Sequence, residues 1–108
     1  MYLIATRSFP PELGGMQSLM WGLAKELSKN FMIKVFADYH KYHEEFDQAV
    51  NFSIERVGGI KFLRKIRKAQ LVNEFLKENK VQGIIADHWK SLELIKTEKK
   101  KYCLVHGK

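Results

Sequence analysis

Short apolar runs alternate with segments of helical period along this chain, and that alternation constrains the fold more than any other feature. "YLIA" (Tyr2 to Ala5) is a continuous run of strand formers. From Met16 onward, Leu19, Met20, Leu23, Ala24 and Leu27 recur at spacings of three and four, the apolar face of a helix ending near Lys29 and Asn30. "MIKVFA" (Met32 to Ala37) predicts a second strand. "FSIERV" (Phe52 to Val57) alternates and predicts a third, and Gly58-Gly59 turns the chain. The longest helical pattern covers 61–79, with Phe62, Leu63, Ile66, Ala69, Val72, Phe75 and Leu76 on its apolar face. "VQGIIA" (Val81 to Ala86) predicts a fourth strand, 91–98 a short helix, and "YCLVHG" (Tyr102 to Gly107) a fifth strand. Residues 38–51 keep no clean period and read as a connection. The class is therefore α/β: a parallel sheet with helices on both faces, in strand order 3-2-1-4-5 if the winding is Rossmann-like.

The 108 residues suffice for one small domain with a real core, and a hydrophobic content of 45% argues against disorder. No apolar stretch approaches the ~18 residues that a membrane span needs. "MYLIATRSF" lacks the order of a signal peptide, because its basic residue follows the apolar stretch. These features make a cytoplasmic location the default. A single cysteine, Cys103, fits a reducing compartment, and its apolar setting predicts a buried structural thiol. The net charge of +7 favours anionic partners. Much of it lies in "KFLRKIRK" (Lys61 to Lys68) and "KTEKKK" (Lys96 to Lys101). Arg64, Lys65, Arg67 and Lys68 read as a basic helix face opposite the apolar one, either simply solvated or facing an anionic surface.

Ligands of an open parallel sheet bind beyond the carboxyl ends of its strands. That rule selects Arg7 to Gly15 after the first strand, 87–90 after the fourth, and His106-Gly107 after the fifth. In "FPPELGG" (Phe9 to Gly15) the prolines stiffen the strand exit. Gly14-Gly15 stands where a helix begins, and its amides and missing side chains suit a phosphate or sugar. A turn requiring positive φ explains the same glycines without any ligand. The loop is neither GxGxxG nor a Walker loop, since the next glycine is Gly22 and no GK[ST] follows. His106 and His88 suit hydrogen bonding or proton transfer, Trp89 suits stacking on a ring, and Lys90 and Arg7 suit pairing with phosphate. Each can equally be structural or solvated. His40 and His43 read as surface residues, and no Asp-x-Asp or other metal pattern is visible.

Taken together, "FPPELGGMQSLMWGLAKELSKNFMIKVFA", "IIADHWKSLELI" and "YCLVHGK" resemble glycosyltransferase family 4, retaining enzymes of the GT-B type with two Rossmann-like domains. The carriers are Phe9-Pro10-Pro11, Gly14-Gly15, the Leu23-Ala24-Lys25-Glu26-Leu27 helix and the strand-end His106-Gly107. Asn30-Phe31 departs from the family's Gly-His turn. The resemblance implies that Gly14 and Gly15 lie near the donor phosphates. It implies that Gln17, His88, Trp89 and Lys90 lie on the acceptor side, and that His106 faces the transferred sugar. It also implies a nucleotide-sugar substrate without cofactor or metal, a glycan or lipid-linked acceptor, and a basic patch facing an anionic membrane. The family's second domain, with its Glu-x7-Glu pair, is missing. The 1–108 segment thus reads as a truncated first domain, inactive alone.

Two other readings stand beside it. A small basic α/β module could bind phosphorylated ligands or nucleic acid, although the basics cluster on a helix and no RNA-binding signature is present. A nicotinamide-dependent domain would use Asp38 at the end of strand two, but the glycine spacing is wrong for it.

Overall fold

The structure is a computed structural model and describes residues 1–104. Five strands, β1 (Tyr2–Ala5), β2 (Ile33–Asp38), β3 (Ser53–Val57), β4 (Gly83–Ala86) and β5 (Lys100–Cys103), form one parallel sheet in the order 3-2-1-4-5. β1 is central. Its residue Tyr2 lies beside Ile33 on one side and Gly83 on the other, and the register continues to Ala5 between Phe36 and Ala86. A strand buried on both faces must be apolar throughout, which is why "YLIA" shows no alternation.

Helices α1 (Gly15–Leu27) and α2 (His43–Ala49) cover one face; α3 (Lys61–Glu78) covers the other. The period of two divides the core between them. Ile4, Val35, Ala37 and Ile85 pack with Met20 and Ala24 of α1, while Leu3, Ala5, Phe36 and Ile84 pack with Val72 of α3. Lys34, the charge inside β2, extends its stem past Phe36 and Phe75 and brings its ammonium to Glu55 at 3.4 Å. Among the described residues no helix is long and apolar enough to cross a membrane.

Four features differ from the sequence reading. The connection 38–51 contains α2, a seven-residue helix with no buried residue, too short to show a period. The expected helix over 91–98 is a 3-10 turn at Trp89–Leu92. β5 begins earlier than expected, at Lys100, and the expected strand end at His106-Gly107 lies outside the described residues. Cys103 is exposed rather than buried. β5 is an edge strand whose four residues are all exposed, so its apolar side chains have no helix over them among the described residues.

The Phe9–Pro11 segment is packed into this core. Phe9 is fully buried in edge-to-face contact with Phe46 of α2 and Phe52 before β3. Arg56 of β3 lies over its ring and donates to the Pro10 carbonyl at 2.5 Å. The Pro10–Pro11 bond is cis. Phe9→Ala should therefore lower the unfolding free energy by about 3–5 kcal/mol. Urea denaturation at unchanged m-value checks this.

Candidate functional site

The carboxyl ends of β1, β2 and β4 and the amino ends of α1 and α3 meet at one rim. α3 has 18 residues and so spans about 27 Å. β4 has four residues, spanning only about 13 Å. Running antiparallel to the strands, α3 extends beyond the sheet at its amino end. Its first turn therefore lacks a sheet to cover. Phe62 and Leu63, expected on the apolar face, are exposed for this reason.

Asp38, the last residue of β2, gathers the cations of α3. Lys68 donates to Asp38 Oδ1 at 2.5 Å and to the Thr6 carbonyl at 3.0 Å. Arg64, one turn earlier, reaches Asp38 Oδ2 at 3.2 Å. Lys65 pairs with Glu93 beyond the 3-10 turn. The four-residue basic face is thereby corrected. Lys68 is buried, Arg64 and Lys65 are engaged in ion pairs, and only Arg67 is exposed. Successive helical residues differ by about 100°, so 64 and 68 turn toward the sheet while 67 does not. Burial lowers the Lys68 pKa from its ordinary value, and Asp38 opposes that shift without cancelling it.

Asp87 joins the exits of β1 and β4. It is buried, accepts from the Arg7 amide at 3.1 Å and from the Ser91 hydroxyl at 2.8 Å, and has Arg7 Nε at 3.8 Å. Beside it, His88 Nδ1 accepts from the Lys90 amide at 3.2 Å and caps the 3-10 turn. With Nδ1 accepting in that bond, Nε2 is the ring nitrogen left to donate outward. The Trp89 ring is more than half exposed, 5.6 Å from the His88 ring, with the Lys90 ammonium 5.9 Å from it.

Two clefts open on this rim. One, of about 360 Å³, lies at the carboxyl ends of β4 and β5 beside the start of α1, lined by Arg7, Ser8, Met16, His88, Trp89 and Leu104 among others. The other, of about 350 Å³, lies between α3 and the 3-10 turn. The first gathers the expected Arg7, His88 and Trp89, with α1 entering through Met16. Lys90 instead lines the second. His106 lies outside the described residues.

The two glycines of the loop differ. Gly14 is the N-cap of α1 with φ of +154°, and a Cβ there would fall 2.3 Å from Gln17 Oε1. Its backbone alone demands glycine. Gly15 is helical, and a Cβ there would meet nothing within 4 Å. The fold therefore supplies no reason for the second glycine. No side chain caps α1, no acidic residue lies in its first turn, and the amides of Gly15, Met16 and Gln17 have no acceptor among the described residues. Among these residues no group of three His, Cys, Asp or Glu could hold a metal ion. His43 instead pairs with Asp47 at 2.9 Å.

Sequence reasoning missed Lys68 and Arg56 as interior cations. Their only signal was position: Lys68 one turn from Arg64 on the sheet side, and Arg56 in an alternating strand. Comparisons with protein families, curated proteins and solved structures returned no match.

Two outcomes are expected. Gly14→Ala should cost about 1–3 kcal/mol, whereas Gly15→Ala should be neutral or stabilise by up to about 1 kcal/mol; thermal and urea unfolding of the pair checks this. Lys68→Met should cost about 1–3 kcal/mol at neutral pH, since Asp38 keeps Arg64 but loses one charged donor. Because the folded pKa of Lys68 lies below the unfolded value of 10.5, the unfolded state binds more protons in the window between them, and stability from this group rises with pH there. The gap between the native chain and Lys68→Met should therefore widen as pH rises toward that unfolded value. Parallel denaturation series measure it.

Proposed function

We propose that this chain is the acceptor-side domain of a retaining glycosyltransferase of the GT-B type. In this reading it takes part in moving a sugar from a nucleotide-sugar to a glycan or lipid-linked acceptor, in cell-surface polysaccharide or glycolipid synthesis. The observation that carries the proposal is Gly15. It is a glycine that the backbone does not require, at a helix start whose free amides border the sheet's ligand rim. A missing Cβ there lets a phosphate or sugar oxygen approach the first-turn amides. The strand order and the resemblance of the surrounding motifs support the same reading.

Each residue then has a role. Gly14 sets the angle at which α1 starts, Gly15 admits the donor phosphate, and Gln17 offers its amide from the same turn. His88 presents Nε2–H to a sugar hydroxyl, Trp89 offers a ring face for stacking, and Lys90 adds positive charge nearby. The resemblance assigns His106, outside the described residues, to the transferred sugar. In this reading a second Rossmann-like domain holds most of the nucleotide. The chain works in the cytoplasm. Any contact with an anionic inner membrane face falls to Arg67 and the exposed Phe62 and Leu63, because Lys68 is buried.

The test is a titration of isotopically labelled chain with UDP-glucose, GDP-mannose and short glycans, followed by amide NMR. The expected result is saturable shifts at Gly15, Gln17, His88 and Trp89, which Gly15→Val weakens while unfolding stays within about 0.5 kcal/mol. Absence of shifts at this rim with every sugar ligand overturns the reading. An oligonucleotide that binds instead, with steep salt dependence, would establish the nucleic-acid module.

A further inference from the structure

The cleft between α3 and the 3-10 turn shares only Lys90 and Phe62 with the reading above. Its floor is apolar: Ala5, Ala69, Val72 and Ile95. Its walls carry six cations, Arg7, Lys61, Arg64, Lys65, Lys68 and Lys90. Three carboxylates answer them, Asp38, Asp87 and Glu93, and each already contacts one or two of these cations. Lys61 and Lys90 have no carboxylate within salt-bridge distance among the described residues. Lys68 adds a built feature. Its side chain is only 8% exposed, it lines the cleft, and it spends two of its three N–H groups on Thr6 and Asp38. The third has no acceptor among the described residues. Phe62 stands at the cleft wall with 71% of its surface exposed. At about 350 Å³ the space matches the lower range of small-molecule sites.

An apolar floor under a surplus of cations selects a ligand with two unlike ends. We propose that this cleft is a binding site for a phosphate monoester with an apolar or aromatic body. The body lies on Ala69, Val72 and Ile95 beside Phe62. The phosphate turns to Lys61, Lys90 and the unused donor of Lys68. A dianion with three acceptor oxygens satisfies several cations at once, which a single carboxylate does less well. A nucleic-acid strand is the poorer fit, because the apolar floor lies inside a concave space too small for a polymer. The site stands whether or not the chain serves a transferase.

The probe is 1-naphthyl phosphate, titrated into the intact chain by calorimetry and amide NMR, with inorganic phosphate and 1-naphthol as controls. The expected result is saturable binding that shifts α3 and 3-10-turn amides, at least about tenfold tighter than either control. The double variant Lys61→Glu/Lys90→Glu and the floor-filling Ala69→Leu should each weaken it at least about tenfold. The double variant alters two exposed side chains without ion pairs, so it stays informative if Ala69→Leu does not fold. Binding no tighter than inorganic phosphate, or indifferent to both variants, overturns the proposal. Vesicles of phosphatidylcholine with and without phosphatidic acid identify the source. Phosphatidic-acid binding displaced by naphthyl phosphate points to a lipid headgroup, and naphthyl phosphate binding without vesicle binding points to a free phosphate. Vesicle binding that naphthyl phosphate fails to displace, with no saturable binding of the soluble probe, also overturns it.

Discussion

The carboxyl rim of this sheet depends on one buried guanidinium. Arg56 has 4% of its side chain exposed and is bonded on three sides. It donates from Nε and Nη2 to the two carboxylate oxygens of Asp47 on α2, from Nη1 to the Asp38 carbonyl at the end of β2, and from Nη2 to the Pro10 carbonyl. A charge removed from water costs several kcal/mol unless it is paired and its donors are met. Here the paired carboxylate and two carbonyls offset that cost, and the planar fork allows only one arrangement. The loop after β1, the end of β2 and α2 are consequently held together. Phe9 sits beneath them as the apolar half of the same contact.

A mismatch of length then creates the clefts. The strands are short, α3 is long, and its amino end overhangs the rim. On the α3 side the overhang forms a wall of cations around an apolar floor. On the α1 side no helix among the described residues covers β5, and a second cleft opens at the carboxyl ends of β4 and β5 with His88 and Trp89 at its margin. Asp87 lies between the two and braces the exits of β1 and β4 through Arg7 and Ser91. The two clefts share Arg7 in their linings.

Much of the fold was legible because short-range periods report which faces are buried. β1 and α1 stand within a residue or two of where the apolar spacing put them, and the strand order is the one expected for a Rossmann-like winding. α2 was not legible. It has seven residues and buries none fully, so it leaves no periodic trace. The first turn of α3 was misread for a different reason: Phe62 and Leu63 obey the helical spacing but have no sheet to cover. Cys103 was misread because an apolar run implies burial only when something lies over it.

The amino-acid sequence by itself determined the alternation of strands and helices and hence a parallel α/β sheet; the order 3-2-1-4-5, and with it the rim on which Arg7, Gly14, His88 and Trp89 stand, followed only on a Rossmann-like winding, which the structure has. The alternation follows from local sterics and from periods of two and 3.6, which act over a few neighbouring residues. Only the tertiary structure decided which cations are solvated and which are held. Lys68 and Arg67 are adjacent and equally basic, yet one is buried against Asp38 and the other faces water. Asp38 is thirty positions before Lys68, and Asp47 meets Arg56 across two elements. Such pairings depend on where the folded sheet carries each carboxylate, a long-range distance that no local pattern encodes.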